Sequence, residues 1–103
     1  MNIVVNARFL SQHITGVQRF AIEISKELNK MDAQVRFIAP SNIIHKDIAN
    51  ELGAEPIGRL SGHLWEQIVL PKYLKGLGSP LLVNFCNTAP LNYSNNIVTI
   101  HLH

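Results

Sequence analysis

Apolar residues in this chain fall into short β-branched runs separated by stretches with helical spacing. Ile3-Val4-Val5, within Asn2 to Asn6, lacks polar alternation, as a strand covered on both faces of a parallel sheet would. The segment from Ala7 to Ile14 has no period. Thr15 and Gln18 stand at capping-box spacing, where a hydroxyl and an amide can satisfy the first N–H groups of a helix. Val17, Phe20, Ala21, Ile24 and Leu28 then share one helical face, while Gln18, Arg19, Glu23, Lys26 and Glu27 fill much of the rest. This predicts a helix ending near Asn29 to Met31. Val35-Arg-Phe-Ile-Ala39 reads as the next strand, stopped by Pro40. Strand, helix and strand in that order imply a right-handed crossover and a parallel sheet.

Ser41 to Leu52 is expected to form a short helix, with Ile44, Ile48 and Leu52 on one side and Gly53 as its stop. Glu55-Pro-Ile-Gly58 suits an edge strand, because Pro56 cannot donate to a ladder. From Gly62 a helix should carry Leu64, Ile68 and Val69 inward. Pro71 should kink or break it, since an interior proline costs ~3 kcal/mol or more. Leu81 to Phe85 reads as a strand, Cys86 to Asn96 as a polar loop, and Ile97 to Ile100 as the last strand, with His101 at its carboxyl end. The fold class expected is α/β: a Rossmann-like open parallel sheet with flanking helices, in a single domain spanning residues 1–103.

Composition narrows the classes. At 103 residues the chain makes one domain at most. With 47% apolar and 16% charged residues it can build a core. No apolar run reaches the ~18 residues of a membrane helix. The opening Met1-Asn-Ile-Val-Val-Asn-Ala-Arg8 lacks the basic segment and apolar core of a signal peptide. One cysteine, Cys86, excludes an internal disulfide and fits a reducing, cytoplasmic compartment. A net charge of +2 with no basic block argues against nucleic-acid binding.

Ligands of open parallel sheets bind at the carboxyl ends of the strands. The topology brings three segments there: the loop from Arg8 to Gly16, the loop from Cys86 to Pro90, and His101. The Thr15-Gly16-Val17 helix start can hold an anion on free N–H groups, or be an ordinary cap. The three-glycine dinucleotide fingerprint is absent, which disfavours a dehydrogenase. Arg8 and Arg19 can pair bidentately with phosphate or carboxylate, or be solvated charges. Trp65 is favoured as a packing residue whose indole N–H needs a partner. Glu66 either lines the cleft or pairs with an arginine. Asn87 and Thr88 can bond sugar hydroxyls or their own turn. Cys86 reads as a small buried side chain. His101 and His103 alternate on a strand, but two ligands make a poor zinc site, and no metal is assigned.

After the opening strand come Thr15-Gly-Val-Gln-Arg-Phe20, Gly62-His-Leu-Trp-Glu-Gln-Ile-Val-Leu-Pro71, Leu81-Leu-Val-Asn-Phe-Cys-Asn-Thr-Ala-Pro90 and Val98-Thr-Ile-His101. In this order they resemble the N-terminal half of retaining glycosyltransferases of the family 4 type, over nearly the whole chain. Such enzymes have the GT-B architecture, two nucleotide-binding-like domains facing each other across a cleft. The resemblance implies that this chain is the N-terminal, acceptor-side part of a longer enzyme. The domain that grips the nucleotide, with its pair of glutamates separated by seven residues, is not in it. The implied reaction moves a hexose, such as mannose, from a nucleotide sugar to a glycan or lipid-linked acceptor, with retention and without a cofactor. His101 would contact the transferred sugar at the catalytic centre, although Leu102 stands where an aspartate usually follows. Arg8, Thr15, Gly16, Val17, Arg19, Glu66, Asn87 and Thr88 would line the substrate side. Peripheral membrane association of the whole enzyme, and a homo-oligomer through the truncated sheet edge, are the partners expected. Two readings from other classes remain: a stand-alone α/β module that binds a phosphate or sugar, and a non-catalytic oligomeric interaction protein.

Overall fold

Five strands lie parallel in one sheet, in the order β3-β2-β1-β4-β5, in a computed structural model that describes residues 2–32 and 34–99. They are β1 (Ile3–Asn6), β2 (Arg36–Ala39), β3 (Glu55–Pro56), β4 (Leu81–Asn84) and β5 (Asn96–Val98). Val5 sits in register with Phe37 on one side and Val83 on the other, and Val83 with Ile97. Alternate residues feed two cores. Val5 and Phe37 pack with Ala21 and Ile22 of α1 (Gly16–Met31) and with Ala49 and Leu52 of α2 (Lys46–Leu52). Val4, Ile38 and Leu82 pack on the other face with Trp65, Leu70, Leu74 and Tyr93. Helices therefore cover both faces, which is why the strands lack polar alternation. This Rossmann-like arrangement fits the expected α/β class. Its strand order reverses between β1 and β4, a topological switch point.

Three expected elements differ in detail. In α1 the fully buried line is Ala21, Ile22 and Ser25, while Phe20 and Ile24 are 41% and 38% exposed. Apolar residues cover more than one stripe of this helix, so the sequence leaves its rotation open. Packing on the sheet selects the stripe with the small Ala21 and Ser25, and Phe20 meets Phe85 edge-on, with ring centroids 6.1 Å apart. Helix α2 starts at Lys46, not Ser41. The N–H groups of Ile44 and His45 both donate to Leu10 O, at 2.9 and 3.2 Å, so the preceding segment docks on the 3-10 turn Arg8–Ser11 and Ile44 stays exposed. Gly53 stops α2 as expected, in the left-handed conformation (φ 64°), with Ala54 N–H closing onto Ala49 O at 2.9 Å.

The third difference is at Pro71. Helix α3 (Gly62–Leu64) runs through a π-helical turn (Trp65–Val69) into α4 (Leu70–Gly76), without the expected break. Leu70 N–H reaches back five residues to Trp65 O, and Pro71 sits in the first turn of α4, where its missing N–H is tolerated. The inward residues are Trp65, Glu66, Leu70 and Leu74. Leu64 and Ile68, expected inside, are 59% and 54% exposed, and Val69 is half-buried against the second core. Trp65 offers the larger apolar area, and its indole N–H finds Ile57 O at 3.1 Å. Gly58 (φ 71°) lets the preceding loop approach this helix, since a Cβ there would lie 2.6 Å from Val69 Cγ1. Among the described residues, no helix is long and apolar enough to cross a membrane.

Candidate functional site

Strands β1 and β4 each end in a buried asparagine, Asn6 and Asn84, side by side at the switch point. Asn6 Nδ2 donates to Asn84 Oδ1 and to Glu66 Oε2, both at 2.9 Å. Asn84 Nδ2 in turn donates to Asn96 Oδ1 at 2.7 Å and Ile97 O at 2.9 Å, tying the cluster to β5. Asn6 Oδ1 accepts the backbone N–H of Arg8 at 3.2 Å. A polar side chain at a strand end can thus link three neighbouring strands while satisfying its own groups.

Glu66 enters this cluster from the π-helical turn and is 1% exposed. An ionised carboxylate at this depth needs partners, and Glu66 has three. Oε2 accepts from Asn6 and from Thr88 Oγ1 at 3.2 Å, and Oε1 faces Arg8 Nη1 at 3.3 Å. The widened turn presents both Trp65 and Glu66 to the interior, one to the apolar core and one to the strand ends; such turns recur at functional sites. Gln67, the next residue, holds the 88–91 loop from both sides: its Nε2 donates to Ala89 O at 2.9 Å, and its Oε1 accepts Leu91 N–H at 2.8 Å.

Cys86 lines the same recess. Burial pushes its thiol up to about 11; Arg8 pulls the other way and Glu66 adds to the rise. The side chain is half-buried rather than fully buried as the sequence suggests, and with its pKa raised the thiol keeps its proton at neutral pH. The recess itself has a volume of about 10 Å³, room for one water. Its polar walls are closed on one another.

The structure therefore brings together Arg8, Glu66 and Thr88 among the expected site residues. Of the two readings left open for Glu66, the pairing with an arginine is present, and the side chain also lines the small recess at the strand ends. Thr15, Gly16, Val17 and Arg19 stand apart at the start of α1, with Thr15, Gly16 and Arg19 exposed. Thr15 and Gln18 form the expected capping box, Thr15 N–H donating to Gln18 Oε1 at 3.2 Å while the Thr15 hydroxyl meets the same oxygen. One thread joins this helix start to the recess: Gln18 Nε2 donates to Gln12 Oε1 at 3.3 Å, and Gln12 is part of the recess wall. Asn87 is exposed and takes a left-handed turn conformation (φ 64°) that asparagine tolerates. His101 and His103 lie outside the described residues. Asn6, Asn84 and Gln12 escaped the sequence reading. A signal for the first two was present, since each is a polar residue closing an apolar strand run.

Among the described residues, no group of three metal-ligating side chains converges. No family model, no curated protein and no solved structure matches the chain.

Proposed function

We propose that this chain forms the acceptor-side wall of a retaining glycosyltransferase of GT-B type, one that transfers a hexose from a nucleotide sugar. The observation that carries this reading is the Arg8–Glu66–Thr88 cluster at the carboxyl ends of β1 and β4. Three residues that the sequence resemblance places on the substrate side meet there, at the position where open α/β sheets bind ligands. Their chemistry suits a sugar or its phosphate. A guanidinium can pair with an oxyanion, and a carboxylate and a hydroxyl can bond sugar hydroxyls. In this reading a second, nucleotide-binding domain supplies the opposite wall. Transfer depends on holding donor and acceptor together in a water-poor cleft, which one wall does not provide.

The test has two parts. The 103-residue chain should transfer no sugar above background from any of several nucleotide sugars to a lipid-linked or glycan acceptor. Turnover by this chain alone would overturn the reading. Titration with hexose phosphates and oligosaccharides should shift the backbone amide signals of Arg8, Glu66 and Thr88. Shifts confined to Thr15 and Gly16 would favour the small phosphate-binding module instead.

A further inference from the structure

We propose that the Arg8–Glu66 contact is a self-occluded oxyanion site, in which the buried Glu66 carboxylate holds the place of a phosphate or carboxylate ligand. The inference rests on the preceding reading for the location of the site and adds the charged group of the ligand.

The two partners are held unequally. Glu66 is 1% exposed and keeps two donors besides Arg8, Asn6 Nδ2 at 2.9 Å and Thr88 Oγ1 at 3.2 Å. Asn6 is itself fixed by Asn84, and Asn84 by β5. The Arg8 side chain retains 14% exposure, and among the described residues its guanidinium makes one hydrogen bond, Nη1 to Glu66 Oε1 at 3.3 Å. That is longer than the roughly 2.7–2.9 Å of a strong charged pair, and single where a guanidinium can offer two parallel bonds. Arg8 is therefore the partner able to turn away, and Glu66 keeps neutral donors when it does. The recess, at about 10 Å³, takes a water but no phosphate, so a ligand enters only by displacing that contact. A phosphate offers Arg8 the bidentate geometry that Glu66 does not. Competition of this kind weakens apparent affinity by the fraction of time the site is open.

Calorimetric titration with inorganic pyrophosphate, and separately with malonate, tests this without any sugar. Glu66→Gln keeps the side-chain shape and an oxygen for Asn6 but removes the competing charge. It should bind at least one of the two anions about tenfold more tightly than the native chain. The anion that gains more identifies the ligand's charged group. Arg8→Gln should lose this binding, and Arg8→Lys should keep only part of it, lacking the planar fork. In the native chain the Arg8 guanidinium resonance should move during the titration, a reading that needs no variant to fold. Equal affinity of native and Glu66→Gln proteins, binding that survives Arg8→Gln, or a stationary Arg8 resonance at saturation would each overturn the proposal. Tightening by Glu66→Gln together with an absence of any sugar ligand would leave the anion site standing and remove the glycosyl reading alone.

Discussion

Glu66 shows how much one side chain commits at the residue scale. Its carboxylate accepts from Asn6, Thr88 and Arg8 at once, so replacing it with leucine takes a partner from the buried Asn6 amide, the part-buried Thr88 hydroxyl and a part-buried charge. Glu66→Leu should lower stability by roughly 1–3 kcal/mol, the cost of leaving buried hydrogen-bonding groups without a partner, since Arg8 can turn to solvent. Urea unfolding would measure it, and a change below the ~1 kcal/mol of an exposed pair would show that the cluster is not structural. Cys86 makes a prediction in pH. Its thiol, raised from 9.0 to about 11 chiefly by burial, binds its proton more tightly folded than unfolded. That contribution to stability is complete below about pH 9 and is lost as pH rises to about 11. Stability followed over this window should fall in the native chain and fall less in Cys86→Ser. At the helix start, Thr15→Ala should cost ~1 kcal/mol and Thr15→Ser little, because the capping box satisfies N–H groups that α1 cannot. Equal melting of all three proteins would mean that the box contributes nothing.

At the scale of elements, the helical run through residues 62–76 carries the tightest constraint. Its π-helical turn absorbs Pro71 and turns Glu66 inward. The loop before it depends on Gly58, where any side chain meets both a left-handed backbone and the Val69 methyls. Gly58→Ala should therefore cost at least ~1 kcal/mol from the backbone alone. Pairing it with Val69→Ala, which empties the clashing space, should give less than additive loss in a double-mutant cycle. Strict additivity would mean that the close approach carries no strain relief.

For the whole molecule, the two edges of the sheet differ. Strand β3 is two residues long and carries Pro56, so it offers little to another chain. Strand β5 pairs on one side among the described residues, and its Ile97 is 51% exposed. We propose that the β5 edge is where copies of the chain associate. Sedimentation at micromolar concentration should show a dimer or larger species, and Val98→Lys should dissociate it. A monomer that stays soluble on concentration would contradict this.

The sequence alone determined the parallel α/β class, the positions of β1, α1, β2 and β4, the αL stop at Gly53 and the edge character of β3. These follow from local signals: apolar runs, caps, glycine and proline. It also pointed to Arg8, Glu66 and Thr88, but not to their meeting. The tertiary structure decided what depends on neighbours: which of two apolar stripes α1 buries, that Pro71 is absorbed rather than breaking its helix, and that Leu64 and Ile68 face outward while Trp65 and Glu66 face in. It also made Asn6 and Asn84 part of the site. An asparagine at the end of a strand run reads locally as a stop signal. It becomes part of a buried polar cluster only when strand pairing sets it beside its equivalent and a carboxylate from sixty residues away accepts a hydrogen bond from it.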